Sequence, residues 1–197
     1  MRNCIFSSHC TESVCDKACP ILVETSYLLE RNNITVNNSV FNTAAEDIEN
    51  AQAVIHKSMD KLLGVAVSDN TISLSNLITY CAICENWQGN RLHCTVYHLK
   101  FSNHIDLIQR SWSCKDIPEQ LEYEQIWLST AKVLIISNLD YVQFKDFQAQ
   151  TLLNIIHNRQ NNGLTTIIVS PKIQSLIGSG MFFSRLQSVL REAVLTV

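Results

Sequence analysis

A chain of 197 residues, 46% of them hydrophobic, is long enough for one globular domain with or without a small additional module. The net charge of −3 argues against a protein whose main function is to bind bare nucleic acid, because such binding depends on lysine and arginine neutralising phosphates. No apolar run approaches the roughly 18 residues of a membrane span, and the N-terminus lacks the apolar segment of a signal peptide, so we expect a cytoplasmic protein with no membrane partner.

Residues 1–31 are predicted to form a small cysteine-rich module that ends in a helix. Four of the eight cysteines and one histidine fall within its first nineteen residues: Cys4, His9, Cys10, Cys15 and Cys19. Two ligand pairs, Cys4 with His9 or Cys10 and Cys15 with Cys19, have spacings near those of structural zinc sites. The four thiolates could instead hold an iron–sulfur cluster, or the cysteines could simply pack together without a metal. We prefer zinc, because a metal would be the main source of order in so short a segment.

The polar residues 32–42 are predicted to be a linker, and residues 43–197 a larger domain. Thr43 and Glu46 have the spacing of a capping box that opens a helix. Gly64 is expected to end this helix. The apolar residues between the capping box and Gly64 lie on one helical face: Ile48, Ala51, Ile55, Met59 and Leu62.

Short apolar runs then alternate with helical patterns along the rest of the chain. Strands are predicted over 65–67, 92–101, 132–136, 165–170 and 193–197. Helices are predicted over 74–87, 103–112, 119–128, 144–160 and 181–190. This alternation predicts an α/β fold with a mostly parallel sheet and helices on both faces.

The strand from Val133 to Ile136 is predicted to be central, because four consecutive branched apolar residues indicate burial on both faces. It is followed by Ser137 and Asn138. Neither side chain carries a charge, so neither can hold Mg²⁺ electrostatically as a carboxylate would.

The order of these elements resembles the AAA+ ATPases of the replicative-helicase-loader (DnaC-like) family and the related transposase-associated ATPases. In that family, a phosphate-binding loop of pattern G-x-x-x-x-G-K-[ST] follows the first strand, and acidic residues follow the central strand. The matching segment here is 68–75. Ser68 and Ser73 replace the glycines, Leu74 replaces the lysine, and of the motif's polar side chains only the terminal hydroxyl, Ser75, is retained.

The resemblance places Ser137 and Asn138 at the positions of the acidic residues, so it implies a nucleotide site that neither hydrolyses ATP nor binds it tightly. The segment Ser184-Arg185-Leu186 resembles the part of the family sequence that carries the arginine finger, a residue that reaches the phosphates held by a neighbouring subunit. Arg185 could instead be a solvated residue on an amphipathic helix.

These observations favour a catalytically inactive AAA+-like accessory subunit of a hetero-oligomer, acting in DNA replication or mobile-element biology. Its expected partner is an AAA+ ATPase or a replicative helicase, with DNA as a further possible partner. Two alternatives remain open. One is a metal-dependent nucleic-acid-binding module, and the other is a structural subunit of a transposition or defence complex that does not depend on nucleotide.

Overall fold

The computed structural model describes residues 27–32, 34, 44–86, 95–113 and 119–195. The candidate metal ligands Cys4, His9, Cys10, Cys15 and Cys19 lie outside the described residues, as does Thr43 of the predicted capping box.

The described elements alternate as the sequence predicts. After a helical stretch over residues 27–31, their order is α1 (Ala45–Lys61), β1 (Leu63–Val67), α2 (Thr71–Asn86), β2 (Val96–Lys100), α3 (Phe101–Ser111), α4 (Glu119–Thr130), β3 (Val133–Ser137), α5 (Asp146–Asn161), β4 (Thr165–Ser170) and α6 (Met181–Glu192). A short 3₁₀ turn, Ile173–Ser175, lies between β4 and α6.

The sheet has four named strands in the order β1-β4-β3-β2, and every neighbouring pair is parallel. On the other side of β1, Val194 forms a parallel bridge with Val65. In the described residues, the predicted strand over 193–197 is represented by this single bridge, which gives β1 a neighbour on both sides. The α/β prediction with a parallel sheet is confirmed.

Two apolar clusters cover the two faces of the sheet. Leu134 and Ile136 of β3 belong to the cluster that packs against α3, α5 and α6. Val133 and Ile135 belong to the cluster that packs against α1 and α2. All five residues of β3 are buried, as expected for a central strand of a parallel sheet.

The structure corrects the prediction that Gly64 ends the first helix. Helix α1 ends at Lys61, Leu62 adopts the left-handed conformation (φ 61°), and Gly64 lies inside β1. A Cβ atom at Gly64 would collide with the side chain of Ser58 on α1 and would lie 2.8 Å from Leu195 Cδ1. Glycine is therefore needed here because helix and strand approach closely, not because a helix stops.

Four residues at the N-terminal end of the described chain, Leu28, Leu29, Asn32 and Ile34, pack into the core of the α/β domain. Leu28, Leu29 and Ile34 are buried in the same cluster as α1 and α2. Asn32, also buried, accepts a hydrogen bond at Oδ1 from the backbone N–H of His98 on β2 (2.6 Å). The division into a module over 1–31, a linker over 32–42 and a domain over 43–197 stays a prediction.

A buried arginine of α5 forms hydrogen bonds with the end of α4 and with β4. Arg159 of α5 is 1% exposed. Its guanidinium donates to the carbonyl oxygens of Leu128 (2.8 Å), Ala131 (2.8 Å) and Thr165 (2.7 Å) and to Thr166 Oγ1 (3.0 Å). The first two carbonyls lie at and just beyond the C-terminal end of α4, where a cation is favoured by the helix dipole.

In the described part of the chain, no helix combines the length and the apolar character that a membrane crossing requires.

Candidate functional site

The segment aligned with the phosphate-binding loop contains only three residues outside regular structure. Ser68, Asp69 and Asn70 connect β1 to α2, and the helix begins at Thr71. The predicted start at Leu74 is therefore three residues too late. The other five aligned residues, from Thr71 to Ser75, are already helical.

The backbone amides of this connection are hydrogen-bonded within the protein. Ser68 N donates to the carbonyl of Ser170 (3.0 Å), and Asn70 N donates to Ser68 Oγ (3.0 Å). Ser73 N donates to Asn70 Oδ1 (3.1 Å), so Asn70 is the N-cap of α2. In a phosphate-binding loop, amides of this kind point at the ligand. Here three backbone amides donate their hydrogen bonds to oxygen atoms of the protein itself.

Two further residues of the aligned segment face the protein interior. Ser75 is 1% exposed, and its hydroxyl donates to the carbonyl of Ile72 within the same helix (3.0 Å). Leu74 is half-buried and packs against the cluster shared with α1. Ser73 and Asp69 remain at the surface. Phosphates brought to this loop would therefore meet one carboxylate and no lysine.

The end of β3 contains a neutral hydrogen-bonded pair. Ser137 Oγ lies 2.8 Å from His98 Nε2 on β2, and both residues are buried. Ser137 also donates to Asn138 Oδ1 at 3.3 Å. Asn138 itself has φ 63°, a left-handed conformation that asparagine tolerates better than most residues.

His98 is uncharged in this environment. Burial lowers its pKa to about 4, and the nearby charge of Lys100 acts in the same direction. Although a serine and a histidine are in hydrogen-bond contact, they are only 1% and 2% exposed, so a substrate has no access to the hydroxyl. The pair occupies the end of the central strand without supplying a negative charge for a metal ion.

Sequence reasoning did not connect His98 with Ser137. The strand register is the signal that could have done so. His98 and Lys100 lie on the same face of β2, because side chains two residues apart share a face, and Lys100 pairs with Ser137. His98, two residues before Lys100, is therefore the neighbour of Ser137 on that face.

Arg185 lies on the exposed side of α6. The opposite side of the helix is buried through Phe183, Leu186 and Leu190. Asp146, at the start of α5, accepts a hydrogen bond from the backbone N–H of Phe182 (3.3 Å) and so holds the first turn of α6. This position leaves the Arg185 guanidinium accessible to a second molecule.

Among the described residues, no three His, Cys, Asp or Glu side chains are grouped closely enough to hold a metal ion. Cys81 on α2 is buried, and burial raises the pKa of its thiol to about 12, so it is an inert packing residue.

A polar cavity of about 270 Å³ lies on the other face of the sheet from α2. This open cleft is lined by α3, by the start of α5 and by the loop after β3, including Tyr141 and Lys145. None of the residues that line it belongs to the segment 68–75 or to the pair Ser137 and Asn138.

No protein-family model and no curated protein sequence matches the chain. Its structure is similar to that of AMPPCP-bound DnaA from Aquifex aeolicus, an AAA+ ATPase, with a TM-score of 0.54 and 12% sequence identity. The chain has an AAA+ fold. The match covers 79% of this chain and 48% of the DnaA chain, so this chain corresponds to about half the length of that protein.

Proposed function

We propose that this chain is a catalytically inactive AAA+-like subunit that acts through protein contacts in DNA replication or mobile-element biology. The observation that carries the proposal is the closed connection between β1 and α2. Asn70 and Ser68 accept hydrogen bonds from amides that a phosphate would require, so nucleotide binding would have to break the helix cap.

The charges of the connection support the same conclusion. A phosphate-binding loop places a lysine against the β- and γ-phosphates. Leu74 stands at that position, and the exposed carboxylate of Asp69 would repel the phosphates. Because no glycine is present between residues 68 and 75, the backbone also lacks the freedom to wrap around a phosphate.

The end of β3 adds an independent argument. Mg²⁺ in these sites is held with the help of an acidic residue after the central strand. Ser137 is neutral, and its hydroxyl already contacts His98 at 2.8 Å. A subunit with both defects would not turn over ATP on its own.

The contact through which the subunit acts is proposed to include Arg185. An arginine that acts in trans needs only to be exposed at a subunit interface, and it does not depend on the subunit's own nucleotide pocket. Arg185 meets this condition, because it projects from the solvent side of α6 while the helix is anchored by Phe183, Leu186 and Leu190. The proposed partner is an AAA+ ATPase or a replicative helicase, in a hetero-oligomer.

Zinc bound by Cys4, His9 or Cys10, Cys15 and Cys19 is proposed to order the N-terminal segment as a second contact surface. Cysteine and histidine at these spacings are suitable ligands for a structural zinc ion. Measuring the metal content of the purified protein, for the wild type and for Cys15→Ser with Cys19→Ser, tests this part directly.

The first experiment measures ATP binding and hydrolysis by the pure protein. We expect no turnover and no saturable binding of Mg²⁺–ATP by calorimetry. Hydrolysis that is abolished by Ser75→Ala would overturn the proposal, because it would show that the terminal hydroxyl of the aligned segment still serves a nucleotide.

The second experiment purifies the tagged protein from its native host and identifies what accompanies it. Recovery of an AAA+ ATPase or a replicative helicase is the expected result. The partner's ATP turnover is then measured with the wild type, with Arg185→Ala and with Arg191→Ala, which changes an exposed arginine on the same helix. A loss confined to Arg185→Ala supports action in trans. Equal turnover with all three proteins contradicts it.

A further inference from the structure

Strand β2 is an edge of the described sheet, so half of its backbone polar groups point away from β3. Val133 N donates to the carbonyl of Thr95 (3.2 Å), which shows that Thr95 directs its carbonyl toward β3. Because these directions alternate along a strand, Val96 and His98 direct their N–H and C=O groups outward, as does the N–H of Lys100. The carbonyl of Lys100 belongs to the N-cap of α3. An unprotected edge of this kind is a template for pairing with another chain.

Residues 27–32 and 34 lie along this edge, and we name them the edge guard. Arg31 Nη2 donates to the carbonyl of Val96 (3.2 Å). Asn32 accepts from His98 N (2.6 Å), while its Nδ2 donates to the carbonyl of Leu28 (2.7 Å). Two outward groups of β2 are therefore satisfied by side chains and not by a paired strand.

The edge guard is held in place by packing as well as by these bonds. Leu28, Leu29 and Ile34 are buried against the sheet. The guanidinium carbon of Arg31 lies 4.4 Å from the centroid of the Trp127 ring on α4, a cation–π contact. The guard thus joins β2 to α4, yet it contributes no strand to the described sheet.

We propose that the edge guard keeps β2 from pairing with β2 of a second copy of this chain, and that releasing the guard makes the protein dimerise. A symmetric antiparallel pair centred on His98 would bring the outward groups of the two His98 residues together. It would place Lys100 opposite Val96, so the two lysines would not face each other. A second copy of this chain is therefore sufficient to form the pair, because the backbone groups of one β2 can hydrogen-bond to those of another β2.

The test is made on the full-length protein with the double substitution Arg31→Ala and Asn32→Ala. Light scattering after size exclusion is expected to give 22.3 kDa for the wild type at every concentration and, for the variant, a concentration-dependent rise to about twice that mass. Glu30→Ala, which changes an exposed residue of the guard, is the matched control and is expected to stay monomeric.

Adding His98→Pro to the double variant identifies the surface. Proline has no N–H and therefore cannot donate from the centre of the edge. We expect this triple variant to return to the monomer. A dimer that persists in it would place the interface elsewhere and overturn the proposal, and so would a double variant that is monomeric at all concentrations.

Hydrogen exchange of the wild type keeps the proposal testable if the variants do not fold. A releasable guard predicts that the amides of Asn32, Ile34 and His98 exchange together and faster than the amide of Ile135 in the sheet centre. Exchange of all four amides at one rate, that of global unfolding, would show that the guard never opens alone and would refute its release.

Discussion

The buried cation on α5 gives the sharpest prediction for stability. Arg159→Met keeps an unbranched side chain in the space but removes every donor. The carbonyls of Leu128, Ala131 and Thr165 and the hydroxyl of Thr166 then lose the guanidinium that now donates to them at 2.7–3.0 Å.

The expected loss follows from these four hydrogen bonds. Each bond to a charged donor contributes about 1.5–3 kcal/mol, but removing Arg159 also removes the cost of burying a cation. That cost is real, because burial lowers the pKa of Arg159 to about 10. Leaving a buried acceptor without its donor costs about 1–3 kcal/mol, so four such losses, less the recovered cost of burying the cation, give an expected loss of about 3–5 kcal/mol for Arg159→Met.

Urea denaturation followed by circular dichroism measures the loss. Domains of this size lose about 2–4 °C in melting temperature per kcal/mol, so a decrease of roughly 10 °C should accompany it. Arg159→Lys should recover part of the stability, since an ammonium group can donate to some of the four acceptors but lacks the planar fork. Arg110→Met, at an exposed arginine of α3, is the control and should change the stability by less than about 0.5 kcal/mol. A loss below about 1 kcal/mol for Arg159→Met would refute this account.

Two further predictions concern the sheet. Because the pKa of His98 is lowered to about 4 in the folded protein, only the unfolded chain gains its proton as the pH falls below about 6.5. Unfolding titrations should therefore show the wild type losing about 2 kcal/mol relative to His98→Gln between pH 7 and pH 5, and parallel pH profiles would contradict the assignment. Gly64→Ala should destabilise the protein by roughly 1–3 kcal/mol, because its Cβ would collide with Ser58, and Ser58→Ala should restore part of the loss; an unchanged melting temperature would disprove the close contact.

The sequence predicts those elements best whose ends carry local signals. The bounds of β4 were predicted correctly, Thr165–Ser170, because Gly163 precedes the apolar run and Pro171 follows it. The central position of β3 follows from its uninterrupted branched residues. The parallel sheet follows from the alternation of elements.

The predicted start of α2, Leu74, is wrong because a local capping signal at Asn70 was not used. Asn70 is a favourable N-cap, and its side chain accepts a hydrogen bond from Ser73 N. Read by itself, the segment Ser68-Asp69-Asn70 could have placed the helix start correctly.

The remaining differences depend on contacts that are distant in sequence. Arg159 occupies an apolar stripe of α5 with Leu152 and Ile156, where a charged residue would ordinarily be expected to face solvent. The burial of Arg159 is explained by the carbonyl groups at the end of α4 and in β4, which accept its hydrogen bonds. The same holds for Asn32 and His98, which are 66 residues apart. Local patterns carry no information about such partners.

The position of β1 inside the sheet has a consequence for synthesis of the protein. Its named partner, β4, pairs Leu63 with Thr166, and its second contact, Val194, lies still later in the chain. Ribosomes add about 5–20 residues per second, so β1 waits on the order of 10 s for the first of these neighbours. During that interval a short apolar segment has neither of its neighbours, so β1 can join the sheet only after β4 has been synthesised, whereas β2 and β3 can already pair.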